Sequence, residues 1–132
     1  MKRLLVFLFA FSLLISCDEH FEKDSLYGYY TATDYKNTFD TIQLKPHGLY
    51  HRRIYDKNNK LALELDGTWR LEQNRVISLD SYFFNLDRDI VKFPELLQDT
   101  VGSGGGHLET KNGVIQFCVG YYYEDNCYQK VK

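Results

Sequence analysis

Helical periodicity is almost missing from this 132-residue chain, and so is any apolar run of the roughly 20 residues that a membrane-spanning helix requires. The longest apolar stretch, Leu4 to Ile15, is interrupted only by Ser12 and falls short of that length. Cysteine is scarce: there are three, none in a C-x-x-C pair, and no histidine follows His107 to complete a zinc set. His47 and His107 have no carboxylate at a ligand spacing, so no metal is expected. Asp87 and Asp89 flank Arg88 without the spacing of a calcium loop, and Arg88 or Lys92 neutralises them. The Gly-rich stretch before His107 lacks the Lys-Ser/Thr of a phosphate-holding loop, so it is expected to be a flexible loop. Ser25, Ser81 and Ser103 lie in no nucleophile motif. These absences exclude an evident catalytic constellation, and neither enzymatic activity nor a cofactor is expected.

What the chain does have begins at its N-terminus. Lys2 and Arg3 precede the Leu4 to Ile15 run, which is the order of a secretion signal. The run ends in Leu14-Ile15-Ser16-Cys17 in place of a small-x-small cleavage site. That string resembles the lipobox of bacterial lipoproteins, in which the leader is removed before the cysteine and the thiol is acylated. The resemblance implies a lipid-anchored protein of the bacterial cell envelope, held at a membrane from Cys17. Residues 1–16 are then the signal peptide, 17–26 the lipidated cysteine and a flexible tether, and 27–132 one domain. Asp18 and Glu19 fit either an inner-membrane retention signal or a surface-export signal.

Removing residues 1–16 leaves 116 residues, enough for a single modest core. The loss of Lys2 and Arg3 leaves 14 basic against 18 acidic residues, a formal net of −4 that argues against a nucleic-acid surface. With Cys17 lipidated, Cys118 and Cys127 remain as an even pair in an oxidising compartment, and a disulfide between adjacent strands is expected.

The mature sequence alternates short β-like runs with turn signals. In LALELDGTWRL, residues Leu61, Leu63, Leu65, Trp69 and Leu71 share one parity, interrupted by Gly67, while Glu64, Asp66, Thr68 and Arg70 share the other. Ile42 and Leu44, Ile77 and Leu79, and Ile115, Phe117 and Val119 repeat the pattern. Asn112-Gly113 is a two-residue hairpin signal. Strands are expected near 27–35, 39–45, 49–55, 61–71, 75–80, 106–110, 114–121 and 127–131. Eight short antiparallel strands predict an all-β, up-and-down barrel closed on itself. Residues 81–105 form a long irregular insert, a position more often functional than structural.

The texture of DTIQLKPHGLYHRRIYD followed by DGTWRLE resembles that of small bacterial lipocalin-like lipoproteins over roughly residues 27 to 80. The resemblance implies the barrel and the envelope setting. Classical lipocalins carry their G-x-W in the first strand, whereas Gly67-Thr68-Trp69 lies mid-domain here.

Two polar or aromatic clusters stand out. A strand splays His51, Arg52 and Arg53 onto both faces, and a solvated strand neutralised by Asp56, Glu64 and Asp66 is expected there in preference to an anion site. Tyr121, Tyr122 and Tyr123 run into Glu124 and Asp125 at an expected hairpin tip, and consecutive strand residues cannot all face a core. These five are the candidate partner-binding residues. Small lipoproteins of this kind resemble inhibitors of cell-wall hydrolases and immunity proteins that neutralise toxins, which implies a non-enzymatic protein-binding role. The alternative is a lipocalin-like carrier of a small apolar ligand, which requires a cavity inside the barrel.

Overall fold

The computed structural model describes residues 19–33, 38–82, 102–119 and 126–132. Eight strands follow one another: β1 (Gly28–Ala32), β2 (Thr38–Lys45), β3 (Leu49–Asp56), β4 (Leu61–Glu72), β5 (Val76–Asp80), β6 (Ser103–Lys111), β7 (Val114–Val119) and β8 (Asn126–Lys130). Each pairs antiparallel with the next, and β8 returns to β1 through Tyr30 opposite Lys130 and Ala32 opposite Tyr128, which closes the barrel. The fold is the small up-and-down barrel expected from the strand pattern, with a lipocalin-like architecture.

Alternation decides what lies inside. Tyr30, Ile42, Leu44, Tyr50, Trp69, Ile77, Leu79, Phe117, Val119 and Tyr128 are all buried and form one cluster. Tyr30 and Phe117 lie 5.2 Å apart between ring centroids, and Phe117 stacks on Tyr128 at 5.3 Å. Such pairs contribute about 0.5–1.5 kcal/mol each beyond their burial. Gly67 interrupts the apolar parity of β4 because it sits opposite Tyr50, whose ring occupies the space a Cβ would need. The Tyr50 hydroxyl then donates to the Asp80 carbonyl at 2.6 Å.

Three expectations are corrected. The Gly-rich stretch is no loop: Ser103 to His107 pair with Asp80 to Val76 in β6. A Cβ on Gly106 would run into the Cys118 carbonyl, and one on Gly104 would come within 2.9 Å of the Tyr82 ring, so the glycines let β6 cross closely over its neighbours. Leu61 is 43% exposed, whereas Leu63 and Leu65 are half-buried. Ile54 faces Leu63 while Tyr55 faces Leu61, so Ala62 is an extra residue, and this bulge flips the parity of what precedes it.

Residues 19–26, expected to be part of a solvated tether, are packed onto the barrel. Phe21 is 7% exposed and Leu26 fully buried in the core cluster. The Phe21 amide donates to the Asn74 carbonyl at 2.8 Å, and the Thr110 amide donates to the Glu19 carboxylate at 2.8 Å. A 3-10 turn over Lys23–Leu26 then leads into β1, and Tyr30 donates to the Leu26 carbonyl at 2.8 Å.

The two rims therefore differ. The chain enters β1 at one, the entry rim, where the connections 46–48, 73–75 and 112–113 also lie. The far rim carries the 57–60 turn and the strand ends that flank residues 34–37, 83–101 and 120–125.

Candidate functional site

The tripeptide His51-Arg52-Arg53 is split by the pleat of β3. Arg52 lies between Tyr50 and Ile54 on the inward parity and is 0% exposed, which corrects the expectation of a fully solvated cluster. Asp40, inward on β2, meets it in a fork: Nε donates to Oδ1 at 3.0 Å and an Nη donates to Oδ2 at 2.5 Å. The Tyr128 hydroxyl also donates to Asp40 Oδ2 at 2.7 Å, and the hydroxyls of Tyr82 and Tyr128 are 2.9 Å apart. The guanidinium carbon lies 4.2 Å from the Tyr82 ring centroid, close enough for a desolvated cation–π contact. Burial opposes the charge on Arg52, but the Asp40 carboxylate, with Tyr128 and Tyr82, more than reverses this and raises its pKa above the ordinary arginine value.

This cluster is saturated. Among the described residues, no buried side-chain nitrogen or oxygen lacks a hydrogen-bond partner. Burial raises the pKa of Tyr30 and Tyr82 and pushes Tyr50 up to about 12, so these phenols stay neutral donors at physiological pH. With Trp69, four tyrosines and an ion pair filling the inward positions, the network ties β2, β3 and β8 together as a core.

The outward face of β1 to β4 has the opposite character. Tyr29, Gln43, His51 and Asp66 stand in one cross-strand row, and Thr31, Thr41, Arg53 and Glu64 in the next. Together with Lys45 and Tyr55, most of these line a surface concavity of about 520 Å³, the size of a small-ligand cleft but open to solvent. His51 Nδ1 lies 2.8 Å from Asp66 and Nε2 lies 3.0 Å from Glu64. Both contacts are hydrogen bonds only when both ring nitrogens carry protons. Arg53 Nε donates to Glu64 at 2.9 Å, and this bond, with His51 beside it, holds the Glu64 carboxyl below its usual range. The side chains of Tyr29, Gln43 and Lys45 make no hydrogen bond to another described residue. Nearer the far rim, Phe39, Tyr55 and Leu61 lie side by side across three strands, with Phe39 56% exposed.

The expected neutralisation of His51 and Arg53 by Glu64 and Asp66 is present. Asp56 does something else: its carboxylate accepts from the Asn58 and Lys60 amides and shapes the β3–β4 turn. Cys118 and Cys127 form a disulfide with an S–S distance of 2.00 Å, directly opposite one another on β7 and β8. Closing so short a loop contributes about 2–3 kcal/mol. His47 and His107 stand apart on a turn and on β6, and no metal-sized group of His, Cys, Asp and Glu occurs among the described residues. Cys17, the five candidate partner-binding residues Tyr121 to Asp125 and the Asp87-Arg88-Asp89 cluster lie outside the described residues. The Asp40–Arg52 pair was missed in the sequence, although a signal existed: each occupies the parity of its apolar strand neighbours, with opposite charges on adjacent strands.

Comparison with protein-family models, with curated proteins and with solved structures finds no match to the chain.

Proposed function

We propose that the protein is a lipid-anchored, non-catalytic binding protein of the bacterial cell envelope, and that what it binds is another protein. The leader ending in LISC motivates the anchor at Cys17. The observation that carries the choice of partner is the burial of large side chains at the described inward positions. The inward positions hold Trp69, Tyr30, Tyr50, Tyr82, Tyr128 and the Asp40–Arg52 pair, all fully packed, where a carrier needs a chamber. Exposed binding-type side chains lie outside instead. Phe39, Tyr55 and Leu61 form an apolar row beside Arg53, and tyrosine and arginine are among the residues that most often anchor protein interfaces.

The topology supports a single docking end. Phe39 and Leu61 lie toward the far rim, and the strand ends flanking residues 83–101 and 120–125 belong to that same rim. The partner-binding candidates from the sequence, Tyr121 to Asp125, lie outside the described residues, and the strand ends that flank them, Val119 and Asn126, stand at the rim nearer the Phe39 row. A toxin-neutralising immunity protein or a hydrolase inhibitor is the kind of function that such a surface serves.

Photo-crosslinking in the native host tests this, with a benzophenone amino acid at position 39 or 122. One envelope or secreted protein is expected to be trapped from both positions, and Phe39→Ala with Leu61→Ala is expected to weaken its binding at least tenfold without lowering the Tm. Recovery of a stoichiometric apolar small molecule with the purified protein, and no protein adduct, would overturn the proposal.

A further inference from the structure

The distance from the anchor to the barrel sets how the molecule stands on its membrane. Glu19 is already bound, its carboxylate accepting from the Thr110 amide on β6, and Phe21 is buried with its amide on the Asn74 carbonyl of the β4–β5 turn. Only Asp18 separates Cys17 from Glu19. Two residue steps span at most about 7 Å of extended chain. A polar spacer of ten residues would let the domain tumble freely above the bilayer; this chain has almost no spacer left once residues 19–26 are docked.

Resting on the lipidation of Cys17 proposed above, we infer that the entry rim is seated directly against the lipid headgroups, with the far rim facing away. The chemistry of that rim suits an interface. Leu49, at the start of β3, is 50% exposed, and Val131, just past β8, is 49% exposed, so both offer apolar surface to the headgroup boundary. Lys45 and Lys111 end β2 and β6 at the same rim, and neither ammonium has a partner among the described residues. Several of the acidic groups nearby are engaged: Glu19 with Thr110, Glu72 with Ser78 and Glu109 with Gln116. Lys45 and Lys111 can meet lipid phosphates from this rim, which also carries the exposed carboxylates of Glu22 and Asp24.

The seating fixes where a partner meets the molecule. A strand of eight residues, tilted as strands in closed barrels are, rises roughly 20 Å. The far rim and the Phe39 row are thus presented about that far above the headgroups, on a barrel that does not reorient. The partner is met at the membrane face, in one orientation.

Fluorescence quenching on the acylated full chain decides this. The protein is reconstituted into vesicles of phosphatidylethanolamine and phosphatidylglycerol at three to one, doped with a headgroup-nitroxide lipid. A bimane label is placed on Asn112→Cys at the entry rim or on Asn58→Cys at the far rim, with Lys111→Cys and Lys57→Cys as second labels should either variant fold poorly. Quenching of the entry-rim label is expected to exceed that of the far-rim label at least threefold. Mass spectrometry of the same vesicles reads the acylation of Cys17. An acylated chain with equal quenching at both rims overturns the seating alone; an unacylated Cys17 overturns the anchor and the seating together.

Discussion

Arg52 and Arg53 are adjacent in the chain and make almost no common use of the same side chain. Arg52 points inward, is forked onto Asp40, lies over the Tyr82 ring and is shielded from water. Arg53 points outward, shares Glu64 with His51 and is half exposed. The inner face of β2 and β3 is thus a closed set of satisfied partners, whereas the outer face holds unclaimed donors and exposed rings. In a barrel this small, the described interior is taken up by its own stabilisation, so the proposed recognition would fall to the outside.

Breaking the buried pair should give the largest effect. Arg52→Met leaves the Asp40 carboxylate buried without its cation and is expected to lower unfolding stability by about 3–5 kcal/mol. Arg53→Met on the outer face should change it by less than about 1 kcal/mol. Urea denaturation of the two variants reads the contrast, and Asp40→Leu combined with Arg52→Met should recover part of the first loss, because no isolated charge then remains. Equal effects for the two arginines would erase the distinction between the faces.

Gly106→Ala examines the closure of the barrel next. Its Cβ meets the Cys118 backbone carbonyl, so β6 has to move; a loss of about 1–3 kcal/mol is expected from overpacking. A flexible glycine loop would tolerate the same change, and an unchanged Tm would restore that reading.

The two faces should also separate by pH. Tyr30, Tyr50 and Tyr82 have raised values when folded, so their contribution is fully present below the unfolded tyrosine value near 10 and is lost as pH climbs through the folded values. Circular dichroism should show unfolding in alkali beginning above pH 10, with phenolate absorbance rising in step with it. Glu64 has a lowered value, so its smaller contribution is present above the unfolded glutamate value near 4.3 and is lost as pH falls through the folded one. Arg53→Gln should weaken that acid dependence, with the His51 contribution remaining, and leave the alkaline limb unchanged.

Particular residues show what the sequence made legible. Strand positions and closure followed from period-two alternation, because Ile42, Leu44, Ile77, Leu79, Phe117 and Val119 are apolar wherever the pleat turns inward. The same rule applied to Asp40 and Arg52 places both inside, but their polarity masks the parity until the two strands are put in register. Phe21 and Leu26 were hidden differently: among charged neighbours they do not make a run, and only the folded barrel shows the Asn74 carbonyl and the core cluster that they dock against. The glycines of β6 carry no side chain to announce a face, and their role exists only against Tyr82 and Cys118. Gly67 is the exception, since its break in an apolar parity coincides with the Tyr50 ring on the adjacent strand.

The claim that the interior is a finished core, with recognition on the outside, is tested most directly by titrating the purified full-length protein with the fluorescent apolar probe cis-parinaric acid. No saturable binding is expected up to tens of micromolar, and tryptophan fluorescence from Trp69 should show no energy transfer to the probe. Saturable one-to-one binding in the low micromolar range, with Trp69 emission quenched in proportion, would contradict it.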